Sequence, residues 1–459
     1  MTQDKLLLIS CYFPPAGGVN VQRVVSLARY LPQNGFKVFV LTARSSVPMF
    51  DADLVNLIPK EVEVHRTWTL EPPFRLRKKL WSRIDSPSAS QKVSDGFGAK
   101  SKSMLARKIK HLICPDPQIL WYPFAIRRAT KLIRKENIQT VLVTAPPFSA
   151  FLIANELKRR FPHISTVADV RDEWLEYFVK EFAFRGDEYV SVRAAQLERE
   201  TVESCDRIVS VTAASLRQIR SRYPDQPGHK FALVPNGFDP ADFSDFRSRP
   251  HQTDKLVFTY TGTVYKPASS KKFLDALDGM PQIRSGVETR IVGRIAEEFD
   301  RTIFENCKSS VRLTDFVPQK EAHRFMEETD VLLLPWADRF NIPGKFYEYL
   351  GTGKPILAMC PPDSEVARVM EQTAAGWCVN PDDAGAIEQV LTEIHTLGGK
   401  YPRKRNWEAI RRYERPRLAA EYAQVIRDAS RMNEEREFDN FSAAERIDRE
   451  GDRDLAARA

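Results

Sequence analysis

The sequence predicts an α/β protein built from two doubly wound domains with parallel sheets. A chain of 459 residues, 42% of them hydrophobic, is too long for one core and suits two domains of ordinary size. Near the N-terminus, apolar stretches at 5–10 and 36–42 flank a helical pattern at 21–31. In the C-terminal third, apolar runs at 331–334 and 356–359 flank another helical pattern. Such strand–helix–strand crossovers are almost always parallel and right-handed.

Composition divides the chain further. We predict an N-terminal domain over 1–245 and a C-terminal domain over 255–405, separated by a polar linker. An arginine-rich amphipathic pattern predicts a helix over 406–431, and residues 432–459 form a charged tail that is poor in apolar residues.

The first loop contains Gly17 and Gly18, directly between a predicted strand and a predicted helix. Without side chains there, the backbone can approach a phosphate or a sugar, and the helix N-terminus favours anions. The spacing does not match the dinucleotide-binding fingerprint, which disfavours a dehydrogenase. The alternative interpretation is a plain tight turn.

A basic insert with interleaved apolar residues covers 74–135 and includes the stretch ILWYPFAIRRATKLIRK. Basic amphipathic helices with tryptophan are typical of an anionic membrane surface. The alternatives are solvated helix faces or nucleic-acid binding, and the lack of a recognised nucleic-acid-binding module disfavours the last. No apolar run reaches the roughly 18 residues needed to span a bilayer. We therefore expect a cytoplasmic protein, or one peripheral on the inner face of the cytoplasmic membrane.

Ionisable residues cluster after the predicted strand at 166–170. Asp169, Arg171, Asp172 and Trp174 follow one another in the pattern D-x-R-D-x-W. Charged groups at a strand's C-terminal end are candidates for a functional site, and the alternative is a structural ion-pair network.

The helical pattern in IPGKFYEYLGTGKPIL begins near Pro343, and Gly351 is predicted to end it. Lys345 and Glu348 share one face at the start of this helix, where a cation meets a phosphate and a carboxylate accepts hydrogen bonds from ribose hydroxyls. The alternative is an ordinary surface ion pair. A phosphate loop is excluded, because Glu348 replaces its first glycine and Pro355 its Ser or Thr.

Neither metal nor disulfide chemistry is indicated. The six cysteines are dispersed without a C-x-x-C pair, and the seven histidines form no H-x-x-x-H pair. We predict no cofactor and no metal requirement.

Together these motifs resemble those of glycosyltransferase family 4, retaining enzymes of the GT-B fold, over residues 5–430. The resemblance implies two Rossmann-like domains that face a cleft. It implies that the second domain holds a nucleotide-diphosphate-sugar as co-substrate and that the first holds a saccharide or lipid-linked saccharide acceptor, in the synthesis of a cell-surface polysaccharide or glycolipid.

The resemblance also assigns residues. The loop at Gly17 and Gly18 would line the cleft, and the D-x-R-D-x-W motif would face the acceptor. Because an arginine can hold one carboxylate in place while another orients the acceptor hydroxyl, we expect Asp172 to contact the acceptor and Asp169 to pair with Arg171. On the donor side the resemblance implies contacts from Gly262, Lys266 (or Lys271), Arg294, Val317, Lys345 and Glu348, with Lys345 stabilising the departing diphosphate.

Two positions depart from the family pattern. Thr263 replaces the arginine expected after Gly262, and Phe340 replaces the first glutamate of E-x7-E, with Asp338 the nearest carboxylate. These departures keep open a non-catalytic sugar-binding subunit of the same fold. A nucleotide-sugar epimerase and an inverting transferase are the enzyme alternatives.

Overall fold

The computed structural model describes residues 3–44, 50–72, 111–175, 188–265, 269–297 and 299–433. The chain divides into two compact units. Unit 1 comprises 1–211, 215–234 and 419–459, and unit 2 comprises 212–214 and 235–418.

Unit 1 contains a seven-stranded parallel sheet in the order β3-β2-β1-β4-β5-β6-β7. The central strands are buried along most of their length, as expected when helices cover both faces of a sheet. The strands are β1 (Asp4–Ile9), β2 (Phe36–Ala43), β3 (Glu63–Thr67), β4 (Thr140–Ala145), β5 (Ser165–Val170), β6 (Arg207–Ser210) and β7 (Phe231–Leu233).

Helices connect these strands along the chain, and their apolar stripes cover the sheet. They are α1 (Val19–Tyr30), α2 (Asp53–Asn56), α3 (Tyr122–Glu136), α4 (Ala150–Arg160), α5 (Glu188–Ser204) and α6 (Ala213–Arg222).

Unit 2 contains a six-stranded parallel sheet in the order β10-β9-β8-β11-β12-β13. Its strands are β8 (Leu256–Thr261), β9 (Val287–Val292), β10 (Ser310–Thr314), β11 (Val331–Pro335), β12 (Ile356–Met359) and β13 (Gly376–Val379). The helices are α7 (Lys271–Asp278), α8 (Pro281–Arg284), α9 (Thr302–Glu305), α10 (Gln319–Glu327), α11 (Gly344–Thr352), α12 (Glu365–Thr373), α13 (Ala384–Thr396) and α14 (Trp407–Arg411). The predicted fold class, an α/β protein with two parallel sheets, is confirmed.

Each sheet has a point where the strand order reverses. In unit 1 this point lies between β1 and β4, and in unit 2 between β8 and β11. Loops that leave two such strands diverge and open a crevice at the carboxyl edge of the sheet, where α/β proteins bind ligands. The loop with Gly17 and Gly18 follows β1, and the loop with Gly262 follows β8.

The single helix predicted over 406–431 is wrong, because the chain forms α14 and then a second helix, α15, over 415–433. Between them the backbone pairs with Phe238, whose N–H donates to the Tyr413 carbonyl at 3.0 Å and whose carbonyl accepts from the Arg415 N–H at 2.9 Å. Gly237 permits this approach, since a Cβ there would lie 2.0 Å from the Tyr413 carbonyl oxygen.

The predicted end of α11 at Gly351 is also wrong. The helix continues to Thr352 and ends at Gly353, which has a left-handed φ of 73°. Gly351 lies inside the helix, where a Cβ would come within 2.8 Å of the rings of Phe238 and Phe243. It is a packing glycine, whereas Gly353 ends the helix.

The basic insert is described only from residue 111 onward, so the stretch 74–110 lies outside the described residues, as does most of the charged tail. In α3 the apolar face is buried in unit 1 by Ala125, Ile126, Ala129, Leu132 and Ile133. The apolar face of α3 is therefore covered by unit 1, and its basic side chains form a solvated face. Within the described ranges, no helix combines the length and the apolarity that crossing a membrane requires.

Candidate functional site

The start of α11 places Lys345 and Glu348 at the carboxyl edge of the sheet in unit 2. Phe346, Tyr349 and Leu350 form the predicted buried stripe that fixes the helix against the core, and Tyr347 is buried beside them. Lys345 and Glu348 remain partly exposed on the other face. The sequence therefore places both residues correctly on one helix face.

The amine of Lys345 packs against Tyr260 at the end of β8. Its Nζ donates a hydrogen bond to the Tyr260 hydroxyl and lies 3.8 Å from the centroid of that ring. Burial lowers the pKa of Lys345 to about 7, although Glu348 opposes the shift. A lysine in this state gains a proton readily when an anion arrives.

Gly262 leaves room for the Lys345 amine. A Cβ at Gly262 would lie 2.5 Å from Nζ, and the residue has a φ of 118° that disfavours any side chain. The Thr261 N–H donates to the Tyr349 hydroxyl at 2.8 Å, which ties the end of β8 to α11. The amine and the glycine backbone therefore sit side by side at one point.

A second glycine supports this arrangement. Gly293, with a φ of 140°, follows β9, and a Cβ there would lie 2.2 Å from the Gly262 carbonyl oxygen. A cavity of about 140 Å³ opens beside it and is lined by Ile291, Gly293, Ile295, Arg301, Leu313, Thr314 and Asp315.

Among the described residues, no donor forms a hydrogen bond with the Glu348 carboxylate. Burial raises the pKa of Glu348; Arg415 opposes the shift, Asp242 adds to it and Lys345 opposes it. A carboxylate of this kind accepts hydrogen bonds from a ligand's hydroxyl groups without breaking existing ones.

The remaining donor-side predictions fall at different places. Arg294 follows β9, is exposed and lies with its guanidinium 4.8 Å from the Phe316 ring centroid. Val317 is partly exposed in the loop between β10 and α10. Lys271 forms an exposed ion pair with Asp275 at 2.7 Å, which is an ordinary helix-surface pair. Lys266 lies outside the described residues.

Asp338 does not present its carboxylate to a ligand. Its oxygens accept hydrogen bonds from the Phe340 N–H at 2.7 Å, the Asn341 N–H at 2.9 Å and the Asn341 side chain at 3.0 Å. The side chain is buried and closes its own loop. Asp338 therefore serves the loop that carries Phe340 instead of replacing the missing glutamate.

In unit 1, Gly18 directly precedes α1 with a φ of 97° and a ψ of 171°. Its carbonyl accepts from the Val21 N–H at 3.1 Å, which starts the helix. Gly17 is partly exposed in the same loop. The glycine pair thus occupies the predicted strand-to-helix turn.

The expected pairing of Asp169 with Arg171 is wrong, because Asp169 pairs with Arg23 of α1. The closest approach between guanidinium and carboxylate is 2.9 Å, and the Thr144 hydroxyl donates to the same carboxylate at 2.7 Å. Burial opposes the charge on Arg23, yet Asp169 and Tyr422 raise its pKa above the ordinary value. Asp169 is fully buried and holds unit 1 together.

Arg23 is a member of this cluster that the sequence motifs do not reveal. It donates a further hydrogen bond to the Val234 carbonyl at 2.8 Å and lies over the Tyr422 ring, 5.3 Å from its centroid. The available signal was its position among Val21, Val24 and Val25, all buried in the structure. An arginine inside an apolar stripe requires a buried partner.

Of the other residues of D-x-R-D-x-W, Arg171 and Trp174 are buried and Asp172 is partly exposed. Arg171 is buried and donates to the Ala145 and Pro146 carbonyls at the end of β4. Trp174 is buried and stacks on Phe148 with centroids 4.3 Å apart. Asp172 is partly exposed between them. Of this motif's two aspartates, Asp172 is the one a ligand can reach.

Part of the chain is similar to known glycosyltransferases. Residues 91–242 match the family model of Glycosyltransferase Family 4. The chain is 23% identical over 161 residues to the probable glycosyltransferase WbjE of Pseudomonas aeruginosa, covering 34% of this chain and 40% of that protein. It is 30% identical over 95 residues to the amylovoran biosynthesis glycosyltransferase AmsK of Erwinia amylovora, covering 20% and 22%. Both matches span less than half the length of these relatives.

A solved structure extends the likeness to almost the whole chain. Anabaena Alr3699/HepE, in complex with UDP and glucose, aligns with 96% of this chain and 100% of that chain, with a TM-score of 0.54 and 11% identity. At this identity the likeness establishes the fold, which is of the GT-B type. Through residues 91–242, the chain is similar to glycosyltransferase family 4.

Proposed function

We propose that the chain transfers a sugar from a nucleotide-diphosphate-sugar to a saccharide or lipid-linked saccharide acceptor, with retention, in the synthesis of a cell-surface polysaccharide. The observation that carries this proposal is the Lys345 amine, held partly desolvated beside Gly262 at a helix N-terminus. One relative is named for amylovoran biosynthesis, and one structural neighbour is in complex with UDP and glucose. UDP-glucose is therefore the first donor to test.

In this proposal unit 2 holds the donor. The diphosphate meets the Lys345 amine and the backbone at Gly262, together with Arg294 and Lys266, while Glu348 accepts hydrogen bonds from the ribose. The base lies near Val317, beside the cavity at β9 and β10. A protonated Lys345 stabilises the negative charge that develops on the departing diphosphate.

Unit 1 holds the acceptor. Asp172 orients the acceptor hydroxyl, and the backbone at Gly17 and Gly18 permits close approach of the sugar. Arg171 and Asp169 position this loop through their buried bonds to β4 and α1. In this proposal the protein works in the cytoplasm, at the inner face of an anionic membrane, where α3 supplies charge without an inserted apolar face.

The test is incubation of the purified chain with UDP-glucose and candidate acceptor glycans, followed by measurement of UDP release and of the product anomer. Release of UDP with a retained anomer is the expected result. The second candidate is a non-catalytic sugar-binding subunit, favoured by Phe340 and by the closed Asp338 loop. Binding of the nucleotide-sugar without UDP release for any acceptor would favour that candidate.

Replacing Glu348 with glutamine is expected to weaken UDP binding about tenfold, because a neutral amide accepts hydroxyl hydrogen bonds less strongly than a carboxylate. The dissociation constant is measured by calorimetry. Glu371→Gln, on the exposed face of α12, is the matched control and should bind UDP normally. Equal affinity of Glu348→Gln and wild type would remove Glu348 from the nucleotide site.

Asp172→Asn is expected to lower sugar transfer about 100-fold while leaving the UDP dissociation constant unchanged, since the side chain orients the acceptor and not the donor. Asp225→Asn, an exposed substitution elsewhere in unit 1, serves as control. Transfer at the wild-type rate by Asp172→Asn would show that the acceptor contact is another residue.

A further inference from the structure

Two arginines and an exposed tryptophan meet at the carboxyl edge of the sheet in unit 1, on strands that carry neither Asp172 nor the glycine loop. Arg44 comes directly after β2, and Trp68 directly after β3. Since Ala43 and Thr67 are paired in register, Arg44 and Trp68 emerge side by side. Arg66, the penultimate residue of β3, donates a hydrogen bond to the Pro14 carbonyl in the first loop.

The two guanidinium groups lie close enough to repel each other. Burial lowers the pKa of Arg66, and the charge of Arg44 lowers it further. No carboxylate in the described part of the chain forms an ion pair with either arginine. Neighbouring like charges without a counter-charge are unfavourable alone and become favourable when an anion binds between them.

Trp68 adds an apolar surface to this cationic pair. Its side chain is 66% exposed, and the Arg44 guanidinium lies 5.2 Å from the centroid of its ring. The ring therefore presents an apolar face to solvent directly beside a cation. The apolar face of a sugar ring can pack on the indole while a charged substituent reaches the arginines.

We propose that Arg44, Arg66 and Trp68 form an acceptor subsite for a sugar that carries an anionic group, either a carboxylate or a phosphate. This inference rests on the proposed function, since it names the chemical class of the acceptor for the same reaction. The subsite lies on the same sheet edge as Gly17, Gly18 and Asp172, and Arg66 joins it to the first loop through Pro14. The subsite would bind the sugar unit of the acceptor that neighbours the unit receiving the transferred sugar.

The test measures binding of three probes to the full-length chain by ligand-detected NMR titration. Methyl β-D-glucuronide supplies a carboxylate on a sugar, methyl β-D-glucoside 6-phosphate supplies a phosphate on a sugar, and methyl β-D-glucoside is the neutral control. At least one anionic probe should bind about tenfold more tightly than the glucoside, and Arg44→Gln should remove this preference. The anionic probe whose binding depends on Arg44 identifies the source of the charge.

Two further variants sharpen the result. Trp68→Leu should weaken binding of all three sugar probes, whereas Lys60→Gln should change binding of none of them. Lys60 is exposed and precedes β3 at the opposite edge of the same sheet. Lys60→Gln therefore removes one positive charge, as Arg44→Gln does, but far from the proposed subsite. If Arg44→Gln binds every probe as the wild type does, the subsite is refuted. UDP release from UDP-glucose by the wild-type chain tests the proposed function independently.

Discussion

Lys345→Met is expected to lower sugar transfer about 100-fold or more, because one cation aimed at the departing diphosphate is removed. The same change should raise the melting temperature. The pKa of Lys345 is about 7 in the folded chain against 10.5 ordinarily, so folding must expel a proton or bury a charge. Methionine removes this cost. Because Lys345 is partly exposed, solvent makes the cost smaller than the pKa shift alone implies, and we expect a stabilisation of unit 2 by roughly 1 to 3 kcal/mol at neutral pH.

The sign of the pH dependence follows from linkage. Between pH 7 and 10.5 the unfolded chain binds more protons at Lys345 than the folded chain, so this residue makes wild-type stability rise with pH across that window. The gain in melting temperature from Lys345→Met should therefore shrink as pH rises from about 7 to about 10. UDP affinity should fall as pH rises above 7, because the free amine must take up a proton on binding.

Lys400→Met, on an exposed turn of unit 2, is the control and should change neither turnover nor its pH profile. Full transfer activity in Lys345→Met would place the phosphate site elsewhere. A lower melting temperature together with lost activity would instead mark Lys345 as a structural residue.

Arg23→Met is expected to destabilise unit 1 by about 3 to 5 kcal/mol, because it leaves the Asp169 carboxylate buried without its partner. The hydrogen bond to the Val234 carbonyl is lost as well. Because the chain has two units, one unfolding midpoint would mix their contributions. Hydrogen exchange resolves them: protection should fall in β4 and β5 while β11 of unit 2 stays protected.

A double-mutant cycle separates this ion pair from other effects of the substitution. Asp169→Asn alone also breaks the charge pair, and the variant with both changes should cost clearly less than the two single losses added together. Arg127→Met, on the exposed face of α3, is the control for removing an arginine. Additive losses would mean that Arg23 and Asp169 stabilise unit 1 independently.

The sequence predicts the strands of the two sheet centres because buried parallel strands are continuous apolar runs, as β1, β11 and β12 show. It does not reveal β3 or β10, which read EVHRT and SVRLT, because edge strands tolerate polar residues on their open side. The residue type at an edge is set by solvent and not by the core, so periodicity carries little information there.

In the candidate site, the local sequence pattern predicts where a residue lies on its helix or strand, but not which distant residue it contacts. Lys345 and Glu348 lie on one helix face as predicted, because residues three positions apart in a helix are neighbours on its surface. The partner of Asp169 is 146 residues away, and the choice between Gly351 and Gly353 as helix end depends on Phe238 and Phe243. Contacts of this range are set by tertiary packing, which a single sequence does not display.

The Arg23 cluster also constrains the order in which the chain can fold. Arg23 bonds Val234 across 211 positions, and Asn34, in the connection that follows α1, accepts from Arg427 across 393 positions. Contacts this distant in sequence form late, because loop closure costs entropy before the contact gains energy. On the ribosome, the strands of unit 1 emerge first, but the fold of unit 1 is complete only after α15, the last described helix, has been synthesised. Unit 2, almost entirely continuous from 235 to 418, has all its strands before α15 emerges.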